Sequence, residues 1–228
     1  MATKVKTVPA QTAVSADHSK TKKIAVLAML TAVAFIASFF KIPVISFLKF
    51  EAKDVFLLLS GFMYGPVAAL GCSIAAGLLE LPFSSTGVIG MIMNILASAA
   101  FACTASLVYR KRRDVVGAAV GSVCAVAAMT VTMLLWNYLI SPLYMGVTRA
   151  EIVPMLSTVF LPFNLLKAGI NATLTLLIYR PFLHVLHLCG YPVSDHLADS
   201  KKATVLMCAV STLLLGACIG VVVYLNTK

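Results

Sequence analysis

Charge is scarce in this chain. Asp, Glu, Lys and Arg make up 11% of the 228 residues, and only eight are acidic. A soluble domain carries about a quarter charged residues, so a water-soluble globular fold is excluded. Period-two alternation is also missing: the apolar runs are continuous over about 20 residues, which excludes a transmembrane barrel and leaves membrane helices. There is no phosphate loop, no nucleophile–base pairing and no metal-ligand array. The chain therefore holds no ATP engine of its own, and nothing in it supports an enzyme. The six cysteines (Cys72, Cys103, Cys124, Cys189, Cys208 and Cys218) form no CxxC pair and fall mostly in apolar runs, as small buried residues do.

What is present is hydrophobic: 61% of residues, with a mean hydropathy of +0.98. The net charge of +10 sits beside apolar segments. That placement fits orientation by the positive-inside rule and argues against a nucleic-acid partner.

Taken in order, residues 1–23 are polar and lysine-bearing and read as a disordered cytoplasmic tail. Residues 24–40 form the first span, with Ala28 and Ala32 among small residues that let another helix approach. Residues 41–54 (KIPVISFLKFEAKD) are too amphipathic for an ordinary linker and could lie over a cavity mouth or along the interface. Residues 55–79 are apolar but carry Gly65-Pro66, a strong break signal. Only two short spans here, about 55–64 and 66–79, put the Arg110–Arg113 cluster on the cytoplasmic side with the amino terminus. Further spans follow at 88–109, 115–140 and 158–180, then a cytoplasmic linker at 182–202. The expected fold is all-α: a polytopic helix bundle with a six-helix membrane core over 24–181 and a seventh apolar helix at 203–225, where Gly216 and Gly220 stand at GxxxG spacing.

The span at 158–180 carries Asn164, Lys167 and Asn171 at i, i+3 and i+7, on one helical face. A lysine at the centre of a membrane helix costs about 3 kcal/mol on the insertion scale, so it must snorkel, pair or face a cavity. Pro162, one turn earlier, frees a backbone carbonyl. With a rise of about 1.5 Å per residue, Lys167 falls in the outer half of the membrane, level with Asn94, Asn137 and Glu80 from other spans. Their amides and charges offer donors and acceptors. Phe83, Trp136, Tyr138, Tyr144 and Phe163 could pack on a planar ligand. Such a set suits a neutral heteroaromatic ring with a polar tail. The same residues could instead only hold helices together in a protein that transports nothing, or serve a carrier that works without an ATPase.

Several segments together resemble the riboflavin-binding S components of energy-coupling-factor (ECF) transporters: KKIAVLAMLTAVAFI, FLKFEAKD with SGFMYGP, ELPFSSTGVIGMIMN, WNYLISPLYMG and LPFNLLKAGINATLTLLIYRP, spanning about 23–181. The resemblance implies a six-helix core that captures riboflavin from outside, as transported ligand rather than cofactor. It implies ligand contacts at Asn164 and Lys167 and one at Asn137, with 41–54 as a lid. Asn94, Glu80 and Phe83 join the expected site by position. In the family the AxxxA pattern, here Ala28 and Ala32, meets the coupling subunit. The expected partners are a membrane T component and two ATP-binding subunits, and the expected location is the cell membrane with the amino terminus cytoplasmic. An S component for another vitamin or a flavin analogue stays open. The seventh apolar run departs from the family pattern.

Overall fold

A computed structural model describes residues 10–45, 48–84, 87–113, 115–188 and 201–226. All seven expected helical runs are present. Helix α1 (Ala10–Ala37) begins inside the segment expected as tail. No glycine or proline interrupts residues 10–23, so nothing local stops the helix from running on from the apolar part. A hairpin follows, β1 (Ile42–Ile45) against β2 (Leu48–Phe50), antiparallel, with an irregularity between Pro43 and Ile45. The sequence gives no strand signal here beyond its mixed character, and residues 46–47 lie outside the described residues.

Helices α2 (Lys53–Tyr64) and α3 (Pro66–Glu80) meet at Gly65. Its φ of 92° is left-handed backbone that glycine alone adopts freely, and Pro66 then opens α3 where its missing N–H has no helical partner to lose. A short 3₁₀ turn, Leu81–Phe83, leads towards α4 (Gly87–Lys111), and α5 (Val115–Met145) follows.

Between α5 and the next long helix lies the short helix α6 (Arg149–Met155). It is started by a reciprocal cap in which Glu151 Oε2 accepts from the Thr148 backbone N–H at 2.8 Å. One wide π turn, Leu156–Phe160, joins α6 to α7 (Leu161–Leu188), and α8 (Lys201–Asn226) completes the described chain. Among the described residues, four helical stretches are long and apolar enough to cross a membrane: Pro66–Phe83, Gly87–Lys111, Val116–Leu143 and Arg149–Tyr179.

Helix α4 packs along α5, α3 and α2, and α7 lies against α5 and α8. Small residues set these distances. A methyl group on Gly121 would stand 2.8 Å from the Ala105 carbonyl oxygen, so α4 and α5 approach backbone to backbone here. The core is aliphatic and alanine-rich: Leu30 and Ala34 of α1, Leu57–Leu59 of α2, Phe101 and Ala105 of α4, Met129 of α5, Ala172 and Leu176 of α7. Outward-facing apolar side chains such as Val67, Leu143 and Leu213 suit lipid.

Candidate functional site

Beneath the hairpin, charged residues enter the core from four directions. Lys53 opens α2 and is 2% exposed, which only paired charges tolerate. Its Nζ donates to Glu80 Oε2 at the end of α3 and lies 3.1 Å from Glu51 Oε2, near enough for an ion pair but off the hydrogen-bond line. Glu51 also pairs with Lys41 at 3.3 Å. Asn94 Nδ2 of α4 reaches the same Glu80 oxygen at 3.4 Å.

The second focus is Asp54, fully buried. Its Oδ1 accepts from Ser98 Oγ of α4 at 2.5 Å, and its Oδ2 accepts from Asn171 Nδ2 of α7 at 3.4 Å. Lys167 Nζ lies 4.0 Å from the same Oδ2. Asn171 Nδ2 also reaches the Glu51 backbone carbonyl at 3.3 Å. One network thus ties together the hairpin's exit, α2, α3, α4 and α7. Three ammonium groups (Lys41, Lys53, Lys167) face three carboxylates (Glu51, Asp54, Glu80), so the cluster is balanced in charge. Glu51 lies outside the helices. Burial pushes its carboxyl pKa up, but Lys53, Lys167 and Lys41 together outweigh burial and hold it below its ordinary value.

Of the residues singled out in the sequence, Glu80, Asn94 and Lys167 lie in this one polar network. The structure adds Glu51, Lys53, Asp54 and Ser98, and gives Asn171 partners across the bundle. Asn137 and Asn164 are buried, but each bonds back along its own helix: Asn137 Nδ2 to the Met133 carbonyl at 2.7 Å, Asn164 Nδ2 to the Phe160 carbonyl at 2.8 Å. The Asn164 bond falls where the π turn meets α7, just before Pro162. Ser141 Oγ donates to Asn137 Oδ1 at 2.8 Å. Phe83 is 62% exposed and packs against the rings of Phe35 of α1 and Phe39 just past its end, tilted on the first and edge-on to the second, rather than facing the polar cluster. Ala28 and Ala32 lie on the exposed face of α1. Beside Ala28, a groove of about 440 Å³ runs between α1 and α3, lined also by Leu27, Val67, Ala68 and Gly71.

Three buried polar atoms in this half of the molecule have no protein partner among the described residues: Glu80 Oε1, Asn171 Oδ1 and Trp136 Nε1. An unpaired buried polar group costs about 1–3 kcal/mol, so such atoms are the ones a ligand would satisfy. Among the described residues no group of His, Cys, Asp and Glu side chains could hold a metal ion.

A helical bundle with a buried, charge-balanced polar cluster under a capping hairpin is a multi-pass membrane protein of the ligand-binding kind. Residues 22–179 match the family model of the ECF transporter, substrate-specific component, and the chain belongs to that family. It is a transporter component, not an enzyme.

The chain is 31% identical over 173 residues to the riboflavin transporter RibU of Staphylococcus aureus (strain TCH60), covering 72% of this chain and 92% of the relative. It is 29% identical over 181 residues to RibU of Streptococcus thermophilus (strain ATCC BAA-250 / LMG 18311), covering 74% and 86%. With the riboflavin transporter FmnP of Bacillus subtilis (strain 168) the identity is 27% over 173 residues, covering 70% and 91%. A solved structure described as the S component of a bacterial ECF transporter superposes with a TM-score of 0.64 at 29% identity, covering 73% of this chain and 98% of that one.

Proposed function

We propose that this chain is the riboflavin-binding subunit of an ECF-type vitamin importer. It takes the vitamin at the hairpin end of the bundle and works with a T component and two ATP-binding subunits. The observation that carries the reading is the network around Asp54 and Lys53: buried, spread over four helices, and holding unpaired acceptors at Glu80 and Asn171. Riboflavin offers ring and ribityl donors to such acceptors, and Lys167 offers a donor in return. The equal numbers of ammonium and carboxylate groups favour the uncharged vitamin over its phosphorylated form, because a phosphate would enter a site with no spare positive charge.

The exposed lysines Lys20, Lys22 and Lys23 and the arginines Arg110, Arg112 and Arg113 mark one end of the bundle. By the positive-inside rule that end is cytoplasmic, with the hairpin outside. The small-residue face of α1 and its groove with α3 suit contact with the coupling subunit.

Purified protein should quench riboflavin fluorescence at micromolar ligand, and flavin mononucleotide should compete more weakly. An absence of quenching would remove the riboflavin assignment. Stronger competition by the phosphorylated form would remove the charge-balance reading.

A further inference from the structure

The family match ends at residue 179, and the solved S component covers 73% of the chain, so α8 lies outside the shared core. It is nonetheless fitted to that core. A methyl group on Gly169 of α7 would stand 2.5 Å from Cys218 Sγ and 3.1 Å from Cys218 Cβ, so the absence of a side chain at Gly169 makes the notch that Cys218 fills. Cys218, Ser211 and Met207 form the buried stripe of α8. Thr173 Oγ1, one turn beyond Gly169, donates to the Ser211 carbonyl at 3.3 Å. The pairs Gly169–Cys218 and Thr173–Ser211 run in opposite directions along the two helices, so α8 returns antiparallel to α7.

On a helix turning about 100° per residue, Gly169 and Thr173 share one face, and Lys167 and Asn171 each lie about 160° from Gly169 on the other. Helix α7 is therefore held from both sides: the polar face by Asp54 and the Glu51 carbonyl, the notched face by α8.

We infer that α8 is a built-in clamp on the binding helix, with Cys218 as a positioning residue that sets the depth and rotation of the Lys167–Asn171 turn. This rests on the ligand reading above for its functional consequence, but not for its geometry. Cys218 Sγ can rotate away from an added methyl, but Cys218 Cβ at 3.1 Å is fixed to its helix and packed interiors leave little slack, so a change at this contact shifts α7 against α8.

The test uses Gly169→Ala, the pair Gly169→Ala/Cys218→Gly, and Cys218→Leu, which overfills the same notch from the other helix. Each is read in detergent by riboflavin affinity and by acetylation of Lys167, and Gly169→Ala, which keeps the thiol, also by maleimide labelling of Cys218 against the exposed Cys208, the chemical labels being scored by peptide mass spectrometry. Gly169→Ala and Cys218→Leu should each weaken riboflavin binding about fivefold or more and raise Lys167 acetylation. Gly169→Ala should also raise Cys218 labelling, and the double variant should restore both the affinity and the wild-type level of Lys167 acetylation. Unchanged Lys167 acetylation in the two single variants would overturn the inference, as would a loss in Gly169→Ala that the double variant does not recover. If wild-type protein fails to bind riboflavin, the ligand assignment falls and the acetylation result alone decides on the clamp.

Discussion

Lys53 Nζ lies 2.5 Å from Glu80 Oε2, joining the first turn of α2 to the last residue of α3. The two residues are 27 positions apart, and the helices between them fold back at Gly65, so this pair closes the α2–α3 turn at the end opposite its bend. Lys53→Met leaves Glu80 buried without its cation and Glu51 with Lys41 in place of two lysines. Breaking a buried pair from one side costs about 3–5 kcal/mol, and thermal unfolding in detergent should show a clearly lower midpoint. Lys53→Met/Glu80→Gln should recover part of the loss. An unchanged midpoint in the single variant would mean the pair is dispensable.

Lys167→Ala should weaken riboflavin binding by at least about 1.4 kcal/mol, or tenfold, if its ammonium donates to the ligand. Fluorescence titration gives the number. An affinity equal to wild type would return Lys167 to the single role of facing Asp54.

Acid should loosen the hairpin end first. The folded-state pKa of Glu51 is lowered, so its contribution to stability is complete above its ordinary value of 4.5 and is lost as pH falls through the folded value. A thermal-midpoint profile should be flat from neutral pH down to that region and fall below it. Glu51→Gln should flatten the acid limb, and an identical profile in that variant would assign the acid loss elsewhere.

Gly121→Ala drives a methyl group against the Ala105 backbone carbonyl, which cannot rotate away. Overpacking of this kind costs about 1–3 kcal/mol, and the variant should melt lower. Gly71→Ala, with nothing within 4 Å of the added carbon, is the matched control and should melt no lower than wild type.

Ala28→Trp fills the groove between α1 and α3 without touching the polar cluster. Cells that carry the coupling subunits should lose riboflavin uptake, while the purified variant keeps its affinity. Retained uptake would move the coupling contact to another face.

The break at Gly65-Pro66, the helical runs and the polar face of α7 were legible from the sequence, because each depends on local chemistry: a left-handed glycine, an apolar period, a costly lysine. The burial of the Glu51-Ala52-Lys53-Asp54 segment was not, although the segment holds the centre of the polar cluster. Charged residues at a loop–helix boundary are ordinary, and only tertiary packing reveals that these are buried. Asn137 and Asn164 show the converse. Their spacing and depth placed them correctly inside the bundle, but the choice between a cross-bundle partner and the carbonyl four residues back is a local competition that sequence position cannot decide. Phe83 lies beside the site in sequence, yet its ring packs against Phe35 and Phe39, whose approach depends on how α1 packs.

Equal numbers of ammonium and carboxylate groups at the hairpin end also shape how fast the site fills. A cluster without net charge projects little field beyond its own diameter, and an uncharged vitamin feels little pull from it. Encounter then depends on diffusion and on opening of the entrance, so the association rate should stay nearly constant from low to high ionic strength. If the proposed contacts to Lys167, Asn171 and Glu80 hold the vitamin, the dissociation rate is where sequence changes in this cluster would register.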